Sequence, residues 1–127
     1  MTPDSLPFGE PWIAAYFAEV DRMDPDGLIA WYADDGRFQF GNNPPVTGKV
    51  AIAEVLRFFY GAITSMSHQK TGCWVDGESG VWEAEVTFGT RDGRTIVLPA
   101  VSILRTAGGK VRDFRMVMDA APLFAAA

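Results

Sequence analysis

A chain of 127 residues and 13.9 kDa fits one domain, of a size that buries roughly two-thirds of its unfolded surface. At 48% hydrophobic and 21% charged residues it is a globular composition, which excludes a disordered chain. The net charge of −5 and pI near 4.7 argue against nucleic acid, whose binding rests on Lys and Arg neutralising phosphates.

Further classes fall away on pattern. No apolar run approaches the roughly 20 residues that a membrane span needs. The opening Met1-Thr2-Pro3-Asp4-Ser5 has no basic region followed by an apolar core, so a secretory leader is not expected. Cys73 is the one cysteine and has no partner for an internal disulfide, which fits a reduced thiol in a cytoplasmic protein.

The elements follow in chain order. Residues 1–9, broken by Pro3, Pro7 and Gly9, read as an irregular lead-in. Glu10-Pro11 opens a helix, because proline suits the first turn where its missing N–H costs nothing. Ile13, Tyr16, Phe17 and Val20, flanked by Trp12, give that helix one apolar face. Asp24-Pro25 starts a short second helix with Leu28, Trp31 and Tyr32 as its buried stripe. The acidic run Ala33-Asp34-Asp35-Gly36 reads as the turn that ends it.

Phe38 and Phe40 alternate with Arg37 and Gln39, which predicts a half-buried strand. Gly41 to Pro45 is loop chemistry. A third and longest helix is predicted over about 48–64, where Ile52, Val55, Leu56, Phe59 and Ile63 recur at helical spacing. Strands follow: 68–76; a run with Trp82, Ala84, Val86 and Phe88 on one face; Ile96 to Leu104; and Val111 to Asp119. Arg91-Asp92-Gly93-Arg94 and Ala107-Gly108-Gly109-Lys110 are the turns between them. Pro99 is awkward inside an otherwise apolar strand, since proline cannot donate to a ladder. Residues Ala120 to Ala127 form a short tail. Helices first and strands afterwards make an α+β domain, with helices on the concave face of a strongly curved antiparallel sheet. The mouth of such a cone is a natural small-molecule site.

Tyr32-Ala33-Asp34-Asp35, Pro44-Pro45-Val46-Thr47-Gly48 with the helix after it, and the closing Arg115 to Leu123 together resemble the SnoaL-like and ketosteroid-isomerase-like branch of the nuclear-transport-factor-like superfamily. The resemblance covers about residues 10–124 and implies a single cystatin-like α+β cone. It does not choose a reaction, because relatives include isomerases, dehydratases, epoxide hydrolases, polyketide cyclases and non-catalytic binding proteins. Ketosteroid isomerase works with a general-base Asp, and with a Tyr and a protonated Asp as its oxyanion hole. By resemblance the Tyr falls on Tyr16, the base on Phe40 and the protonated Asp at or near Ser102. Positioned acid–base catalysis contributes about 10² to 10⁴ in rate. A phenyl ring at the position of the base therefore argues against ketosteroid isomerase chemistry.

Three side chains are candidates for catalysis. Tyr16 is either a core tyrosine or a hydrogen-bond donor to a substrate oxygen, a role that a phenol with a pKa near ~10 can fill at neutral pH. His68, the one histidine, is either a general acid–base or a strand-edge residue after the loop Thr64 to Ser67. Asp119 is a base, a partner that orients His68, or a cap on the turn into Ala120-Ala121-Pro122; strict alternation aims it away from Phe114, Met116 and Met118. Asp34 and Asp35 diverge from a turn, and Glu83 and Glu85 face solvent. One His and one Cys without ligand spacing give no metal site, and no phosphate loop or serine-hydrolase elbow is present, so no cofactor is expected.

The expected ligand is a small apolar molecule in a pocket of Trp12, Tyr16, Phe38, Phe40, Phe59, Val86, Phe88, Ser102 and Met118. Either a cofactor-independent isomerase, dehydratase or hydratase, or a non-catalytic binding or dimerisation module, fits these residues. Val97, Val101 and Ile103 face opposite to Ile96, Leu98, Ala100 and Leu104, and helices cover only one side of a sheet. A homodimer through the sheet is therefore expected.

Overall fold

The computed structural model describes residues 2–125; Met1 and the last two residues of the predicted tail lie outside the described residues. After a 3-10 turn at Pro3–Ser5 the chain forms α1 (Glu10–Asp21), α2 (Pro25–Ile29), β1 (Tyr32–Phe40), β2 (Val46–Thr47) and α3 (Lys49–Gly61). Then come β3 (Ile63–Asp76), β4 (Ser79–Thr90), β5 (Thr95–Ala107), β6 (Lys110–Val117) and a single turn, α4 (Ala121–Phe124). The described strands form one sheet in the order β2-β1-β6-β5-β4-β3.

The three predicted helices form, but two are shorter than expected: Trp31 lies beyond α2, Tyr32 opens β1, and Ile63 opens β3 instead of ending α3. Pro11 sits in the first turn of α1, and the Asp24 carboxylate caps α2 by accepting the Asp26 N–H at 3.2 Å. Trp12, Ile13, Tyr16, Phe17 and Val20 of α1 and Ile52, Leu56, Phe59 and Tyr60 of α3 are buried against the sheet. The inner face of the sheet supplies Phe38, Trp82, Ala84, Val86, Phe88, Leu104, Phe114 and Met116 to the same core.

Four expectations need correction. The sheet is mixed, not antiparallel, because β1 runs parallel to β6 with Phe38 beside Phe114 and Phe40 beside Met116. The acidic run Ala33 to Gly36 is not a turn that ends α2; it lies within β1, in a bulge between Tyr32 and Arg37 that adds residues on one strand only. Gly36 permits that bulge, since a Cβ there would meet Ala33 O at 3.0 Å, Tyr32 Cδ2 at 3.2 Å and Val111 O at 3.2 Å. The first long strand begins at Ile63, so Thr64 to Ser67 is strand and not loop; Met66 pairs with Phe88 and His68 with Val86. Val46–Thr47, between the predicted loop and the predicted third helix and not expected as a strand, pairs with Phe38 and Arg37 as a two-residue strand.

Pro99 finds its explanation in the register. It lies opposite Glu85 on β4, whereas the pairing of β5 with β6 reaches only to Val101 opposite Val117. On that side β5 is an edge at Pro99, where a missing N–H is tolerated.

Candidate functional site

Between α1, α3 and the inner face of the sheet lies a chamber of about 40 Å³, lined among others by Tyr16, Phe17, Phe38, Phe40, Phe59, Met66, His68 and Ser102. Each wall has a clear origin. One row of the sheet runs Phe40, Met116, Ser102, Trp82 in register. The helical stripe of α1 brings Tyr16 and Phe17 over that row, and α3 closes it with Val55, Leu56, Phe59 and Tyr60. At 10–15 Å³ for each water position, the space holds roughly three waters. A ring-sized ligand therefore requires side chains to move, and Met66 and Met116 are adaptable enough to do so.

His68 is the polar centre of this apolar space. Its side chain is only 4% exposed, and its ring lies 4.9 Å from that of Phe17. The Asp21 carboxylate holds it twice: Oδ1 lies 2.6 Å from His68 Nδ1, and Oδ2 accepts the His68 backbone N–H at 2.9 Å. An ionised carboxylate can only accept, so Nδ1 carries a proton, and in the neutral form of the ring Nε2 is the acceptor. Asp21 is the last residue of α1, where the helix dipole disfavours a negative charge. The two N–H groups of His68 offset that cost. The turn that stops the helix there places Met23 at φ 58, a backbone region usually left to glycine.

Tyr16 lines the same chamber. Its hydroxyl is 2.6 Å from that of Tyr32, in a fully buried pair. Burial pushes the Tyr16 phenol well above the ordinary tyrosine value, and the neighbouring Tyr32 adds to the shift. Burial also raises Tyr32. Tyr60 donates to the Val20 carbonyl at 2.9 Å, tying α3 to α1 beside the dyad. Burial raises that phenol as well, followed by the negative charges of Asp21, Glu19 and Asp24.

The structure thus brings Tyr16 and His68 together with Phe38, Phe40, Phe59 and Ser102. It does not bring the other candidates there. Asp119 is exposed, accepts the Ala121 N–H at 3.0 Å and borders an open groove elsewhere; Asp21, not Asp119, orients the histidine. Met118 borders that groove too. Trp12, stacked on Tyr16 with ring centroids 5.8 Å apart, packs in the core behind the chamber wall, as do Val86 and Phe88. Asp34 and Asp35 form surface ion pairs with Lys49 and Arg112. Among the described residues no cluster of His, Cys, Asp and Glu suited to a metal ion occurs, and no helix is long and apolar enough to cross a membrane.

The residue that the sequence reading missed is Asp21. A signal was present: Asp21 follows Phe17 by four residues, so it shares the buried face of α1, where a carboxylate needs a partner.

Comparisons with known proteins agree with this architecture. The SnoaL-like domain family matches residues 13–114. Curated protein sequences give no match. Among solved structures, a ketosteroid isomerase-like fold from Catenulispora acidiphila, in complex with trimethylamine, is 19% identical with a TM-score of 0.75 over 82% of each chain. An NTF2-like protein from Burkholderia pseudomallei is 20% identical with a TM-score of 0.75, covering 87% of this chain and 93% of that one. A LEH-like epoxide hydrolase from M. tuberculosis is 16% identical with a TM-score of 0.72, covering 88% and 83%. At these identities the likeness is one of fold.

Proposed function

The chain belongs to the SnoaL-like domain family, and within it we propose a cofactor-independent enzyme that moves a proton on a small apolar molecule bearing a carbonyl or hydroxyl oxygen. The observation that carries this reading is the Asp21–His68 pair, 2.6 Å apart, set in the wall of an apolar chamber that Tyr16 shares.

The chemistry follows from the tautomer. His68 Nε2 takes a proton from carbon next to the carbonyl, and Asp21 stabilises the imidazolium that forms. Tyr16, kept protonated by its raised pKa, donates to the substrate oxygen as negative charge gathers there, with Tyr32 behind it. Return of the proton at a second carbon is an isomerisation; its delivery to a departing hydroxyl is a dehydration, and the reverse a hydration. Phe40 and Ser102 line the chamber where ketosteroid-isomerase-like relatives place acids, so the base has moved to the β3 side.

A second reading, a binding module without catalysis, draws on the same chamber, whose lining is carbon on nearly every side. Proton exchange separates the two. In D₂O, wild type is expected to exchange the α-protons of small cyclic ketones and enones, followed by NMR. His68→Ala should lose that activity by 10²-fold or more, and Tyr16→Phe by about tenfold to 10²-fold. Asp21→Asn is expected to lower the rate with little change in half-saturation and to alter the His68 ¹⁵N ring shifts, which report the tautomer. Equal exchange by wild type and His68→Ala would remove His68 as the base, and no exchange by wild type above the solvent background would leave only the binding module.

A further inference from the structure

Thr90, Ser102 and Thr106 are the buried Ser and Thr side chains among the described residues. The chain itself serves two of them. Thr90 donates to Asp92 and accepts the Arg94 N–H at 2.9 Å, and Thr106 donates to the Glu78 carbonyl at 2.9 Å. The Ser102 hydroxyl, on a residue only 2% exposed, meets no hydrogen-bonding group among the described residues. Its cross-strand neighbours offer it little. Met116 on one side has only a thioether, and the Trp82 indole N–H on the other is buried without any partner, Ser102 included.

The Ser102 oxygen is not closed off by protein as the Trp82 nitrogen is. It opens on the chamber, whose lining includes Ser102 but not Trp82. A buried hydroxyl without a bond is costly, so a molecule in the chamber has to serve it. Carbon placed there would displace solvent without replacing its hydrogen bond. The lining also holds no Asp, Glu, Lys or Arg, so a charged group beside the serine would be buried without a counterion.

The register separates this hydroxyl from His68. Ser102 lies opposite Trp82 and His68 opposite Val86, on the two sides of β4 and four residues apart along it. That amounts to about 13 Å along the strands and ~10 Å across them, before the side chains reach inward. Phe17 fills part of the interval, its ring 4.9 Å from that of His68 and 5.1 Å from that of Trp82. One ligand oxygen therefore does not meet both His68 and Ser102.

We propose that Ser102 is a second recognition point, and that the substrate is a neutral molecule with two separate oxygens. One is the carbonyl beside His68 and Tyr16; the other is a hydroxyl or carbonyl at the far end of a one- or two-ring frame, hydrogen-bonded to Ser102 Oγ. A serine hydroxyl both donates and accepts, so it takes either group and disfavours a hydrocarbon end. This role rests on the chamber as the ligand site, the basis of both readings above, and needs no proton transfer.

Two probes of similar shape test it: 6-hydroxy-2-tetralone and 6-methyl-2-tetralone, which differ only in the group remote from the ketone. In calorimetric titration wild type is expected to bind the hydroxy probe about tenfold or more tightly than the methyl probe. Ser102→Ala should shrink that preference to about twofold or less, chiefly by weakening the hydroxy probe. His68→Ala should keep the preference while α-proton exchange is lost. Exchange by wild type without the preference would overturn the role of Ser102 and leave proton transfer standing; the preference without exchange would do the reverse. A preference unchanged in Ser102→Ala, or no binding of either probe to wild type at millimolar concentration, would also overturn the proposal.

Discussion

The phenols of Tyr16 and Tyr32 sit 2.6 Å apart with no exposed surface, so each is the other's means of satisfying a buried hydroxyl. Replacing one by phenylalanine leaves the other unpaired, at a cost of about 1–3 kcal/mol. Replacing both removes the need as well as the bond. Tyr16→Phe and Tyr32→Phe are each expected to lower the urea midpoint, and the double variant to lose less than the sum. Additive losses would show that the hydroxyls find other partners. Tyr16 was legible as a candidate from the resemblance together with its place on the apolar face of the first helix, and His68 as the sole imidazole. Their convergence was not, because α1 and β3 meet only through the sheet's curvature. The role assigned to Asp119 fell to Asp21 for a similar reason: alternation along one strand says which face a residue takes, not which helix end lies opposite.

At the scale of elements, prolines, caps and apolar spacing made all three helices readable before the structure. The sheet was harder. A bulge that spans Ala33 to Gly36 carries the same Asp-Asp-Gly chemistry as a turn, so local preference could not distinguish them. A parallel strand leaves no local trace either, because its partner lies at the far end of the chain. The bulge is open to test: Gly36→Ala adds a Cβ 3.0 Å from Ala33 O and 3.2 Å from Val111 O, and is expected to destabilise by about 1–3 kcal/mol. Asp24→Ala, which removes the α2 cap, should cost about 1 kcal/mol, read from the shift in thermal midpoint. A neutral Gly36→Ala would mean that the bulge relaxes without strain.

Across the whole molecule, all three tyrosines of the chain have phenols raised above their ordinary value by burial. A phenol that is harder to ionise in the folded state contributes stability that is complete below its unfolded value near ~10 and lost as the pH climbs beyond it. Phenolate absorbance is therefore expected to lag behind that of free tyrosine and to appear together with loss of circular dichroism. Reversible titration of one phenol near pH 10, with the fold intact, would contradict the burial. The α+β cone and its helix-lined concave face were legible as a whole because composition, order of elements and resemblance pointed the same way. The size of the chamber was not, since it depends on how far Phe40, Phe59 and Met66 lean inward.

The parallel seam between β1 and β6 also sets the order in which the molecule can be completed during synthesis. Arg37 and Asp113, joined across that seam at 3.1 Å, are 76 residues apart in sequence, and the Val111 N–H reaches back to the Trp31 carbonyl. Until β6 leaves the ribosome, β1 has only the two residues of β2 beside it, and Phe38 lacks the ring of Phe114 that stacks on it. Non-local pairing of this kind is slow, and an uncovered strand edge invites association with other chains. Nascent chains stopped before β6 should consequently remain protease-sensitive and engage chaperones, with protection arriving only once residues 110–117 have emerged.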